Sequence, residues 1–442
     1  MAKNRLCIFV LVAALMFAGQ AFSQDKLNTP LTLTFTKDVA PIFQEKCEAC
    51  HRVDSIAPMS LVTYEEVRPW AKSIKERVSK GQMPPWHVDK TVGIQHFAND
   101  RSLSQAQIDT IVKWVDSGAL KGDAKNMPPK KEWPDEAKWN FASQFGPPDL
   151  VVKSPAYKVP AVAQDSWFKP VVETGLTEQR WVRAIEIRPS TVKGRKVTHH
   201  ALARLQQQEA GGAGATVQEV GGSAGLFMEW AVGKQGEIMR PNSGKLMLPG
   251  SKIIFEVHYH SVGEEITDQV ELGIYLYPKG QEPKYRQTLG LFSSVAGRNI
   301  DIAPNSIFMG QSFTTLRQAG RIENFQPHMH LRGKAMSLEA ILPNGTTMML
   351  SHVNKFDFNW MTNYIYADDA APLLPRGTVL KVTSWYDNTT ANRNNPDPDQ
   401  WVGFGDRTVD EMGHAWINIT YMSDDDYSAE VAKRNATNKQ QQ

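Results

Sequence analysis

Cysteine is scarce in this chain, with three in 442 residues. That excludes the disulfide lattice on which small secreted folds rely, so the cores must rest on packing. Long apolar runs are also missing: after the first two dozen residues, no segment approaches the roughly 20 apolar residues of a membrane span. Charge of one sign is not in excess either. Lys and Arg number 49 against 47 Asp and Glu, a net charge of +2, which gives no electrostatic footprint for nucleic acid. A chain of this length is too long for one core and suits two or three domains.

The beginning of the chain reads as an export signal. Lys3 and Arg5 form a basic start, Cys7 to Ala18 an apolar run, and Ala21-Phe22-Ser23 a small-residue cleavage site. Residues 1–23 are therefore expected to be removed, leaving Gln24 first. The product is expected to be periplasmic or secreted, with no stable membrane insertion after cleavage. Cys7 leaves with the signal, so Cys47 and Cys50 are the cysteines of the mature chain.

Taken in order, the pattern changes twice. Residues 30–125 are helical in pattern. Val39 to Cys47 is one helix, a second main helix is expected to start at Pro69, and Gln105 to Ser117 carries an apolar stripe that Gly118 stops. Residues 126–164 are rich in proline and read as a linker laid over a surface, since Trp133, Trp139 and Phe141 want burial. From Trp167 the chain is strand-like, with runs such as Trp181 to Ile187, Ile253 to Tyr259, Leu272 to Tyr277 and Ala415 to Tyr421 separated by Gly, Pro and Asn turns. Two antiparallel β sandwiches are expected, at 165–295 and 296–425, followed by a polar, frayed tail at 426–442. Ala210 to Gly225, rich in Gly and Ala, reads as a mobile loop. The fold class is thus multidomain, a small all-α domain followed by two all-β domains.

Cys47-Glu-Ala-Cys50-His51 is a CxxCH element in an exported chain. Such a pair of thiols attaches a c-type haem, and the adjacent imidazole becomes the proximal iron ligand. The sixth ligand comes from downstream. Met83, held on an extended loop before Pro84-Pro85, is favoured, with Met59 and His87 as rivals. Residues 34 to 122 resemble a class I cytochrome c, which implies one covalent haem.

The other chemistry-bearing residues lie in the β region. His328 and His330 are two apart, so on a strand they share a face and can grip one metal. His199 and His200 are adjacent, so both can face one metal only if a bend or bulge intervenes. His258 could complete a three-nitrogen site with them. Imidazole suits copper, and adding a thioether biases a site toward Cu(I). His260 could compete with His258 or support it, and His414 reads as lining the second site.

These residues resemble the copper type II, ascorbate-dependent monooxygenases, the family of peptidylglycine α-hydroxylating and dopamine β-monooxygenases. The match rests on Val257-His258-Tyr259, His328-Met329-His330 and Asp410-Glu411-Met412, and covers about residues 165 to 425. It implies two jelly-roll-like domains with one copper each. His199, His200 and His258 would hold one; the catalytic set His328, His330 and Met412 would hold the other, where O2 reacts. Gln326 stands where the amidating enzyme has a carboxylate-binding arginine, so amidation of glycine-extended peptides is not expected. Met329, Phe325 and Trp416 point to an apolar pocket or to core. The resemblance implies a monooxygenase that hydroxylates a C–H bond of a small molecule, with a periplasmic electron donor feeding the haem. The alternative is a non-catalytic haem and copper electron-transfer protein whose β half is a docking module; a haem-centred oxidase would need an open sixth position.

Overall fold

The structure, a computed structural model, describes residues 32–53, 55, 57–133, 138–208, 224–231, 234, 236–296 and 299–440. The expected signal peptide, Cys7 and nearly all of the expected mobile loop lie outside the described residues. The fold is mostly β, with several antiparallel sheets and a small helical part at the N-terminal end.

The helical part forms where capping and periodicity dictate. Thr63 and Ser104 each start a helix with a capping box, through Glu66 and Gln107, which satisfies the free amides of the first turn. Ala40–Lys46, Ala71–Ser79 and Gln105–Asp116 surround a core of Phe35, Phe43, Ile74, Ile111 and Trp114. Pro69 lies in a 3-10 turn, Arg68–Trp70, and the second main helix starts just after it at Ala71. The segment after this helix leaves the helical core. Trp86, Val88 and Phe97 are buried instead in the C-terminal β core, with bridges from Val88 to Val353 and from Phe97 to Tyr366.

One long sheet runs through both β regions. Its order is Leu150–Lys153, Val270–Leu276, Arg180–Pro189, Ser243–Met247, Tyr285–Ser293, Gly413–Met422, Ala319–Ile322 and Leu373–Leu374. The expected boundary at 295 is therefore not a gap between two sheets, because Tyr285–Ser293 pairs along seven residues with Gly413–Met422. A second sheet, containing Lys252–Tyr259 and Thr198–Gln206, covers the first half, and a third, with Val379–Asp387 and Gly333–Ile341, covers the other. Between these layers lie two apolar cores, one centred on Ile185, Phe255, Val257 and Ile274, the other on Phe325, Met336, Leu338 and Ile417.

Two expectations need correction. The proline-rich stretch 126–164 is not all linker: Leu150–Lys153 and Tyr157–Val159 are strands, paired with Val270–Leu276 and Ile266–Asp268, and they bury Val152 and Val159. Earlier in that stretch, Trp139 packs against Gly273 and under Arg188, as an aromatic laid over a surface should. The polar tail is a helix, Asp424–Gln440. Three aspartates in its first turn suit the helix dipole, and it is tied down by Glu430 to Arg240 (3.1 Å) and by Arg434 donating to the Ala371 carbonyl (2.6 Å).

The first half also buries a charge cluster. Lys234 sits between Glu229 and Glu237, 2.8 Å from the latter, and Lys245 lies 2.8 Å from the other oxygen of Glu237. Burial alone would raise the Glu237 carboxyl; the two ammonium groups more than reverse this and hold it at about 2. Breaking such a pair strands a charge, so Glu237→Gln should lower stability by about 3–5 kcal/mol. Between the ordinary value of 4.5 and about 2, the unfolded chain binds a proton that folded Glu237 does not. Stability from this group is thus present above pH 4.5 and lost as pH falls through that window, and burial of Glu229, whose carboxyl is raised, acts in the opposite sense. Urea unfolding across that range should show a shallower acid dependence in Glu237→Gln than in the parent chain.

Candidate metal centre

The structure brings the predicted histidines together at one cleft. Thr198–Gln206 and Lys252–Tyr259 are antiparallel neighbours, with His258 opposite His200 and Tyr259 opposite Thr198. His199 is thus the extra residue of a bulge, which turns its side chain to the same side as His200. Ligand atoms of His199, His200 and His258 all lie within 4.8 Å of one another. The Nδ1 of His199 is 3.2 Å from that of His200 and 3.3 Å from that of His258.

Which nitrogens face inward follows from the partners behind them. His258 Nε2 is 3.0 Å from an Asp165 carboxylate oxygen. A carboxylate only accepts, so Nε2 carries the hydrogen and Nδ1 keeps its lone pair. Trp167 lies flat on the same ring, centroids 4.3 Å apart and planes within 3°, which fixes its rotation. His199 Nδ1 faces the Nδ1 atoms of both His200 and His258, so the three nitrogens are close enough for one cation to accept lone pairs from all of them. The other oxygen of Asp165 accepts from His260 at 2.8 Å. His260 is therefore a partner of Asp165 at the edge of the site, and its own ring is largely exposed.

The second group is built on Asn324–Met329, which pairs with Gly413–Met422 so that His328 stands opposite His414. Period 2 turns His328 and His330 to the cleft, while Met329 between them is buried in the core. Gly413 is required here, since a Cβ at that position would run into the Tyr386 hydroxyl and Ser294. His328 Nδ1 is 3.0 Å from the Met361 sulfur and His330 Nδ1 is 3.1 Å from the Asp410 carbonyl. Both partners only accept, so both rings carry hydrogen on Nδ1 and leave the Nε2 lone pair for a ligand. Glu411, fully buried, accepts from the amides of His330 (2.9 Å) and Arg332 (2.6 Å) and so pins the backbone after His328. Burial pushes its carboxyl up to about 8.

A cleft of about 240 Å³ is lined by both groups: His200 from the first, and His328, His330, Met412 and His414 from the second. The ring centroids of His200 and His328 are 6.3 Å apart. Phe358 touches both groups, stacking on His199 at 5.6 Å and meeting His330 edge-on at 6.1 Å. Burial lowers the tendency of His199, His200, His258, His328 and His330 to take up a proton, to about 4 for His258, where His199 adds to the effect and Asp165 opposes it. Neutral imidazoles are the form a metal binds. Of the apolar candidates, Trp416 lines the cleft, while Phe325 and Met329 belong to the core. Gln326 is fully buried behind the cleft, donating to the Met361 carbonyl at 3.2 Å.

The CxxCH element is placed apart from the cleft. Cys47 and Cys50 are unbridged and half-buried. Burial pushes the Cys47 thiol up to about 12, with Cys50 and Glu48 adding to it, which is the reverse of a reactive thiolate. His51 Nδ1 is 3.2 Å from the Met59 carbonyl, so its hydrogen is there and Nε2 carries the lone pair. Met59 and Cys47 both pack, partly buried, against the helical core. Met83 is half-buried at the start of the segment that leaves for the β core, its amide donating to the Arg77 carbonyl at 3.4 Å. His87 is buried, and its amide donates to the Tyr364 hydroxyl at 3.1 Å.

No family model matches the sequence, and no curated protein matches it. Among solved structures, a Bacteroides ovatus chain assigned as an alpha-L-fucosidase aligns over 71% of this chain and 43% of its own length, at 7% identity and a TM-score of 0.18. The STIV MCP aligns over 53% and 97%, at 9% identity and a TM-score of 0.19. A structure of infectious bursal disease virus Gx strain aligns over 64% and 78%, at 9% identity and 0.17. Likeness at that level carries no argument about fold or activity.

His258 and His260, two residues apart, separate the roles by experiment. His258→Ala should remove one metal ion per chain and His260→Ala none, as read by elemental analysis after metal loading.

Proposed function

We propose that this is an exported copper-dependent monooxygenase that hydroxylates a C–H bond of a small molecule with O2, with electrons relayed through a covalently bound c-type haem. The architecture proposed is a cytochrome c-like helical unit followed by two jelly-roll-like β units. The observation that carries the reading is the convergence of a three-nitrogen set and a two-nitrogen, one-thioether set on one cleft, with His200 and His328 6.3 Å apart. The donor chemistry fits copper at both: lone pairs of neutral imidazoles converge at the first, and Met412 adds a soft donor at the second, which zinc does not ordinarily use. The haem attachment is supported by two unbridged thiols and by an imidazole whose Nδ1 is tied to a carbonyl, leaving Nε2 for iron.

His199, His200 and His258 would hold one copper, and His328, His330 and Met412 the other. When bound, these metals supply electrons and the centre at which O2 reacts. The rest is done by the chain. Leu202, Leu291 and Trp416 give the cleft an apolar wall suited to a hydrocarbon part of a substrate. The Trp416 indole N–H is buried with no acceptor among the described residues, so it is available to orient an oxygen on the substrate. Lys169, Arg204, Glu256 and Asp406 make the remainder of the lining polar. With Gln326 turned away from the cleft and held by Met361, no carboxylate clamp stands at that position. A non-catalytic electron-transfer protein would need the same metals but not an apolar wall on one side of the cleft between them.

His330→Ala should lower O2-dependent hydroxylation by more than about 100-fold, beyond the usual effect of losing a group that merely supports a ligand, with haem reduction intact. Unchanged turnover in that variant would end the reading. Met412→Ala should lose copper from the second set alone. For the haem, Met83 is the proposed sixth ligand: Met83→Ala should give a five-coordinate spectrum, whereas a change confined to Met59→Ala would move the role to Met59.

A further inference from the structure

The two metal sets differ in what stands behind their imidazoles. In the first, His258 gives its outer N–H to the Asp165 carboxylate at 3.0 Å, and Asp165 is itself held by His260 at 2.8 Å. In the second, His328 gives its outer N–H to the Met361 thioether at 3.0 Å. Met361 is buried, and its sulfur meets His328 on the Nδ1 side of the ring, leaving Nε2 for the cleft that His328, His330 and Met412 line. The contrast matters because a carboxylate is a strong, charged acceptor and a thioether a weak one. An imidazole whose outer N–H is pulled toward a carboxylate becomes the more basic metal donor. The more basic donor stabilises the more highly charged metal ion, and a neutral, soft acceptor leaves that preference to the cleft-side ligands, which here include Met412.

Resting on the copper reading above, we propose that Asp165 and Met361 are positioning residues that set the two sites at different reduction potentials. The site of His199, His200 and His258 is the lower, biased toward Cu(II) and suited to give an electron. The site of His328, His330 and Met412 is the higher, biased toward Cu(I). No protein side chain has to change protonation for this ordering, because it is built into the acceptors. The short ring-to-ring approach of His200 and His328, 6.3 Å, is then a contact between a donor and an acceptor site and not between two equivalent ones.

The test is a redox titration of the full chain loaded with copper, reading the Cu(II) signal of each site by electron paramagnetic resonance, with His330→Ala and His258→Ala used to assign the signals. In the parent chain the signal assigned to the first site should disappear at the lower potential. Met361→Gln, which offers an amide oxygen as a stronger acceptor of similar size, should lower the second midpoint, a fall of about tenfold in the Cu(I) to Cu(II) affinity ratio, or ~59 mV for one electron. Asp165→Asn should raise the first midpoint by a similar amount while leaving the second in place. Equal midpoints in the parent chain, or a second midpoint that does not move in Met361→Gln, would overturn this ordering and leave the copper reading standing. Failure of the parent chain to take up copper would overturn both. If Met361→Gln does not fold, the Asp165→Asn shift alone decides, since Asp165 is partly exposed and outside both cores.

Discussion

The cleft depends on the pairing of one strand. Gly413–Met422 is buried along its whole length and has three antiparallel partners, Tyr285–Ser293, Ala319–Ile322 and Asn324–Met329. The first of these joins the two β regions into one sheet. The last sets His328 opposite His414 and so decides which face of Asn324–Met329 meets the cleft. A slip of one residue would send His328 and His330 into the core and Met329 into the cleft, since strand side chains alternate. Glu411 guards that register from the end of the strand, taking two amides from the chain just after His328. Gly413 guards it from the other side by leaving no room for a side chain beneath Tyr386.

The burial that makes these sites costly is also what equips them. Taking imidazoles out of water disfavours their charged form, so the lone pairs are present without competition from protons. Each ring then needs a partner for its one N–H, and the partner chosen fixes the tautomer. Asp165, Met361, the Asp410 carbonyl and the Met59 carbonyl do this for His258, His328, His330 and His51. At the second set the outer partners engage Nδ1 and leave Nε2, whereas at His258 the carboxylate engages Nε2 and leaves Nδ1. That reversal is what lets three Nδ1 atoms meet at the bulge.

Much of this was legible in the sequence, and what was not has a physical reason. The HxH spacing states its own face, and an adjacent pair of histidines demands a bulge before it can serve one ion; the register step at His258 and Tyr259 supplies it. The strand runs and the capped helix at Ser104 were readable from period and capping. Asp165, Trp167, Phe358 and Met361 were not, because each acts through a tertiary contact and sits in no repeating pattern. Val88 and Phe97 look like part of the helical unit by sequence neighbourhood, yet their apolar side chains are spent on the C-terminal core. The strands at 150–159 were masked by flanking prolines, which punctuate the run but fall outside the paired residues. For the helix Asp424–Gln440 a signal did exist, three acidic residues at its start. It has almost no apolar face, so periodicity could not reveal it; ion pairs hold it instead.

The path of residues from the helical part to the second set bears on how the two halves cooperate. The segment that begins at Met83 runs directly into Trp86, whose ring meets Tyr364 at 4.8 Å, and the His87 amide binds the Tyr364 hydroxyl. Tyr364 lies three residues beyond Met361, the thioether behind His328. The 83–88 segment is thus joined through Tyr364 to the stretch of chain that carries Met361, the acceptor on His328. A neutral acceptor at position 361 strands no charge in the core if its hydrogen bond is lost, whereas a carboxylate there would. A thioether at this position therefore holds the His328 ring by its Nδ1 without adding a buried charge to the core.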